Sequence, residues 1–269
     1  MADVAVIDAG RVEPRVNPDT GLTVRSTLGT QTGFEPLEQA VLELESGSSN
    51  AIAIGPVEET LFVLEGEGAV TVAGEEHALE PEVGVYLPPE STFKLHNRGV
   101  SPLRVLAVRV PDPVGSGSDT GRPAVCRLDE SELEPATAER EFRIVADPST
   151  GLRSATHFVG YIPPERAPDH FHTYDEVIYV LDGEGVMHAG EINQPLARAS
   201  CIQLPARTVH CLENTGTDPM RVVAVFRPAG SPAEAYYPDG APAQYSAAPQ
   251  SMAGGWGCSS NQASKGGVK

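Results

Sequence analysis

The chain has 269 residues, a formal net charge of −18 and a pI near 4.7, and its 40% hydrophobic and 21% charged content is that of a globular protein. So acidic a surface repels phosphate backbones and anionic lipid, which argues against nucleic acid or a membrane surface as a partner. No run approaches the roughly 18 apolar residues of a membrane span, the start Met1-Ala2-Asp3-Val4 carries no basic leader, and Cys126, Cys201, Cys211 and Cys258 lack CxxC spacing, so a cytoplasmic protein with reduced thiols is expected.

Along the chain, short runs rich in Val, Leu, Ile, Phe and Tyr and bounded by Gly, Pro or Asn predict β-strands. They include LFVLEG from Leu61, AVTVAG from Ala69, VIYVLDG from Val177 and RVVAVF from Arg221. The runs repeat. ETLFVLEGEG from Glu59 returns as EVIYVLDGEG from Glu176, an offset of 117 that also carries Leu87-Pro88 onto Leu204-Pro205 and Asn97 onto Asn214. The spacing predicts a first domain over 1–111, a Gly/Ser/Pro-rich linker over 112–123, a second domain over 124–239 and a low-complexity tail over 240–269. A short helix is expected around Asp129 to Glu141, and otherwise an all-β fold with a sandwich or barrel per repeat. Trp256 in the tail is expected to anchor it to a barrel or to a neighbouring subunit.

The second repeat carries the chemistry, in PDHFHTYDE. His170 and His172 sit two apart, so on a strand both side chains share one face; Glu176 follows across a turn, and His210 lies on a later strand after Leu204-Pro205. Three imidazoles and a carboxylate form a mixed N/O site that suits one divalent transition metal per chain, iron or manganese foremost, with nickel, copper or zinc open, and that does not suit hard O-only ions such as Ca²⁺. Four protein ligands on an octahedral ion leave two positions for water, O₂ or substrate. His188 is expected beside the site or at the surface, Cys211 as a small buried residue, Tyr174 and Tyr179 in the core or at the rim, and Asn214 and Gly183-Glu184-Gly185 in structural roles.

These residues resemble the two motifs of the cupin superfamily. The first, G-x5-H-x-H-x3,4-E-x6-G, is met by His170, His172, Glu176 and Gly183, with Pro164 at the leading glycine; the second, G-x5-P-x-G-x2-H-x3-N, is met by Pro205, His210 and Asn214, with Ala199 and Arg207 at its glycines. The resemblance spans residues 35–111 and 150–228, and it implies two tandem jelly-roll β-barrels and metal binding by His170, His172, Glu176 and His210. The first repeat departs from it. Ala53, Gly55 and Phe93 stand where the imidazoles stand in the second repeat, and only Glu59 is kept, so that barrel is expected to be structural, with an apolar or sugar-like ligand as the alternative.

The function expected of such a chain is that of a metal-dependent enzyme on a small polar molecule. The leading expectation is a dioxygenase-type oxidoreductase, with Glu176 as ligand and base and Arg207 pairing with a substrate carboxylate. A keto-sugar or keto-acid isomerase or lyase and a non-catalytic ligand-binding module are the alternatives. Two chains are expected to associate as a homodimer with the first-repeat sheet at the contact.

Overall fold

The computed structural model describes residues 3–114 and 124–243. The linker from 115 onward and the tail from 244, with Trp256, lie outside the described residues. Among the described residues the regular structure is strand and three single 3₁₀ turns, and no helix is long and apolar enough to cross a membrane. The helix expected around Asp129 to Glu141 is absent. Leu128–Glu130 is one 3₁₀ turn, Glu134–Pro135 is an edge strand and Glu141–Ala146 is its hairpin partner. The run of Glu and Ala favours helix locally, but Phe142, Val145 and Ala146 bury their side chains from the strand, and Pro135 sits at a sheet edge where a missing N–H costs nothing.

Each repeat closes into a barrel from one large and one small antiparallel sheet. The first large sheet runs Ala124–Arg127, Val83–Leu87, Glu58–Glu65, Leu103–Val110, Glu38–Leu44, Leu22–Leu28, Arg15–Asn17. The second runs Ala5–Asp8, Ser200–Leu204, Asp175–Asp182, Met220–Arg227, Thr156–Ile162, Glu141–Ala146, Glu134–Pro135. The registers repeat at the offset of 117: Leu87 faces Glu59 as Leu204 faces Glu176.

One of the two edge strands of each large sheet comes from the other half of the chain. Ala5–Asp8 pairs with Ser200–Leu204, from Ala5↔Gln203 to Asp8↔Ser200, and Ala124–Arg127 pairs with Val83–Leu87. Gln203 fastens the first exchange: its Nε2 donates to the Asp3 carbonyl at 2.7 Å, and its Oε1 accepts from the Thr32 hydroxyl at 2.6 Å.

Period-two alternation on the central strands explains their unbroken apolar runs, since both faces are covered. Phe62, Leu106 and Val108 meet Val159, Tyr179, Val223 and Val225 in a core between the two large sheets. Their neighbours point the other way, Leu61, Val63 and Val105 into the first barrel and Ile178, Val180 and Val222 into the second. Glu176 shares the parity of Ile178, and Glu59 that of Leu61, so each carboxyl is sent inside its own barrel.

Candidate metal centre

The HxH segment is held in extended form by the segment that carries the third imidazole. His170 N–H donates to the His210 carbonyl at 3.0 Å, and His210 N–H returns the bond at 2.8 Å. Phe171, between the two histidines, turns outward. It stacks on Tyr236 with ring centroids 5.6 Å apart, and the two residues exchange backbone hydrogen bonds of 2.8 and 2.9 Å. Alternation then puts His170 and His172 on the inner face with His210.

One ring nitrogen of each histidine is committed to a backbone carbonyl: His170 Nδ1 to Pro168 at 3.0 Å, His172 Nδ1 to Glu234 at 2.7 Å and His210 Nδ1 to Thr208 at 2.9 Å. A carbonyl only accepts, so each Nδ1 carries the proton and each Nε2 presents a bare lone pair. The ligand atoms of the three residues lie within 4.8 Å of one another. Burial, reinforced by the neighbouring imidazoles, pushes His172 down to about 3 and His210 well below its ordinary value. Burial with the Arg140 charge pushes His170 down to about 4. Three neutral imidazoles aiming lone pairs at one point, with no donor among them, fit a Lewis-acidic ion. Tyr174 braces this arrangement, its ring lying 4.6 Å from that of His172 and 3.8 Å from that of Phe226.

Glu176 lines the same small cavity, of about 70 Å³, without being one of the three side chains gathered within 4.8 Å. Burial pushes its carboxyl up to about 8, and the Arg140 charge pulls it back. Phe142, Phe158, Ile178 and Leu212 supply apolar walls. A wider vestibule of about 400 Å³ meets this cavity at Thr137 and His170.

The guanidinium at the cavity belongs to Arg140. It sits at the tip of the Glu134–Pro135/Glu141–Ala146 hairpin, where Ala138 and Glu139 both take φ of 55° in the left-handed region, and its Nη2 donates to the Leu212 carbonyl at 2.8 Å. Two non-glycine residues held there store strain in the turn that aims Arg140 inward.

Arg207, expected to meet a substrate carboxylate, is exposed and does not line the cavity. Its contribution is backbone: at φ of 64° its N–H donates to the His172 carbonyl at 2.7 Å. The other substituted glycine, Ala199, likewise keeps a φ of 70°, and the matching first-repeat residues Glu82 and Glu90 have φ of 69° and 63°. The left-handed turns therefore survive the loss of glycine. Arg207→Gly is expected to retain metal and activity and to raise stability by up to about 1 kcal/mol through relief of this strain. Loss of turnover in that variant, measured beside its unfolding midpoint, would return the Arg207 side chain to the site.

His188 lies off the cavity, its Nε2 2.6 Å from Glu213 and its Nδ1 2.6 Å from Asn193. Cys211 is fully buried, with its thiol 3.0 Å from the Ala167 carbonyl, and Tyr179 is in the inter-barrel core. Arg140, the Glu234 carbonyl and the Tyr236 brace are the parts that sequence reasoning missed. No local motif marks them, because the barrel brings them to the site from segments outside both motifs.

The sequence matches the Cupin domain family over residues 40–109 and 157–226. No curated protein matches it. Among solved structures, a glyoxylate-induced protein from Pseudomonas aeruginosa is similar at TM-score 0.73 and 20% identity, over 82% of this chain and 88% of that one. Protein Ylba from E. coli is similar at TM-score 0.72 and 13% identity, over 84% of this chain and 91% of that one. A mutant form of Bacillus subtilis oxalate decarboxylase is similar at TM-score 0.66 and 14% identity, over 84% of this chain and 77% of that one. At such identities the likeness is one of fold. With two tandem matches that together span half its length, and a histidine trio inside one of its two jelly-roll barrels, the chain belongs to the cupin superfamily.

Proposed function

We propose that the second barrel is a metal-dependent catalytic centre for a small carboxylic acid, with His170, His172, His210 and Glu176 holding one divalent transition metal. The observation that carries this reading is the set of three Nδ1–H bonds to carbonyls, which leaves three Nε2 lone pairs converging beside a buried carboxyl and a single guanidinium. A metal bound there supplies Lewis acidity and, as iron or manganese, a route for single electrons to O₂. The chain's own residues do the rest. Arg140 pairs with the substrate carboxylate, the apolar walls exclude water and strengthen that pairing, and Glu176 takes or returns a proton within the cavity.

Dioxygenase-type oxidation of such an acid is the favoured reaction, and the cavity of about 70 Å³ restricts the substrate to a few heavy atoms. The fold shared with oxalate decarboxylase favours a second reading, loss of CO₂ from a small di- or keto-acid. Elemental analysis of protein purified without added metal, followed by O₂-electrode and CO₂-release assays with oxalate and glyoxylate, separates the two. The absence of bound transition metal under those conditions would remove the basis of both.

Arg140→Met is expected to raise KM for an acid substrate by about tenfold or more, the worth of a charge-assisted hydrogen bond, while metal content stays at the wild-type level. Steady-state kinetics checks this, and an unchanged KM would exclude Arg140 as the carboxylate partner.

A further inference from the structure

The first barrel repeats the second without its imidazoles. At the offset of 117, Ala53, Gly55 and Phe93 stand where His170, His172 and His210 stand, although the strand register slips by one residue, so that Phe93 faces Ile52 where His210 faces His170. Ala53 and Phe93 line a cavity of about 630 Å³, against about 70 Å³ in the second barrel.

The kept carboxylate, Glu59, has a side chain only 7% exposed. Opposite it on the adjoining strand stands Arg109, at the register position of Phe226, and opposite Arg109 on the strand beyond stands Glu38. The pairings Glu38↔Arg109↔Glu59 form a row of carboxylate, guanidinium and carboxylate across three strands, and all three residues line the cavity. Arg109 Nε lies 3.2 Å from Glu59 Oε2, and its Nη2 donates to the Ile54 carbonyl at 2.6 Å. The guanidinium gives Glu59 the positive neighbour that a metal gives the equivalent carboxyl of a loaded cupin barrel. Burial nevertheless pushes Glu59 up to about 7, with Arg109 pulling it back and Glu38 adding to the rise.

We propose that this cavity is a metal-free binding site for a neutral polyhydroxy molecule of monosaccharide size, recognised by Glu38, Arg109 and Glu59. Three ligand charges can be compared. An anion meets Asp19, Glu38 and Glu59 against the one cation Arg109 and is repelled. An ammonium group carries only donors and cannot satisfy the donors of Arg109. A hydroxyl both donates and accepts, so vicinal hydroxyls match a row that alternates acceptor, donor, acceptor. Leu42, Ile52 and Phe93 offer apolar walls to the C–H faces of such a ligand.

Calorimetric titration of the full chain tests this, with myo-inositol and D-glucose as neutral probes, D-glucuronate as the anionic counterpart and methylammonium as the donor-only cation. Saturable binding of a neutral probe is expected, tighter than that of either charged one. Arg109→Met should weaken it by about tenfold or more. Ile52→Trp, which fills part of the cavity opposite Phe93 and leaves the charged row in place, should do the same, whereas His170→Ala should leave it unchanged. The proposal is overturned if neither neutral probe saturates the wild-type protein, if a charged probe binds more tightly, or if binding survives Ile52→Trp and is lost in His170→Ala.

Discussion

Alanine at His170, His172 or His210 is expected to cost the protein its metal and its turnover together. Each substitution removes one of three convergent lone pairs, and the loss of affinity should exceed the roughly 100-fold that follows from losing an outer hydrogen bond to a ligand. Metal content after dialysis against a chelator of fixed concentration, measured beside turnover, is the readout. The imidazoles are already neutral, His170 and His210 buried and His172 half-buried, so the variants should still fold, which thermal unfolding can verify. Phe93→His, the reverse experiment, should leave metal content unchanged, because Ala53 and Gly55 still offer no ligand atom. A His170→Ala protein that keeps full metal and full activity would take the centre out of the mechanism.

Removing residues 1–8 is expected to destabilise the second barrel, although those residues belong to the first half of the sequence. The deletion takes away Val4 and Val6, which pack on the second-barrel core, and Ile7, which packs on the core between the sheets. It also strips the ladder from Ser200–Leu204 and the Asp3 carbonyl from Gln203. Partial burial of three aliphatic side chains makes this a loss of about 3–5 kcal/mol. A newly exposed edge reading SCIQL invites association between chains. A fragment that begins after residue 111 loses, in addition, the whole facing side of the inter-barrel core, Phe62, Leu106 and Val108 included, and is expected to be insoluble. Urea unfolding with light scattering decides: an unchanged midpoint and a monodisperse truncated protein would mean that the exchanged strand merely decorates the sheet.

The repeat, the all-β character and the three imidazoles were legible in the sequence because each leaves a local mark. The offset of 117 is visible as shared text, and a two-residue spacing fixes a common strand face. Arg140 was not legible, since its segment favours helix by composition and becomes a hairpin only where Phe142 packs into the second-barrel core and Val145 into the core between the large sheets. Arg207 misled for the opposite reason: its place in the motif is real, but what the fold uses there is a left-handed backbone and an N–H, which leaves the guanidinium outside. The exchange of Ala5–Asp8 and Ala124–Arg127 gave no signal, because AVID and AVCR are generic strand text and nothing near them tells which sheet they will join.

That exchange also sets the order in which the molecule can assemble. Ala5–Asp8 is synthesised 192 to 198 positions ahead of the residues it pairs with. At ribosomal speeds this separation corresponds to a wait on the order of 10–40 s for the growing chain. During that time the sheet destined to receive the strand does not exist. The first barrel in turn lacks its edge strand until Ala124–Arg127 has emerged. Neither half can therefore reach its final form as an independent folding unit, and the high sequence separation of these contacts places the chain among slow folders. The two barrels should melt in one concerted transition, since opening either sheet at its edge removes a strand that the other half of the chain supplies.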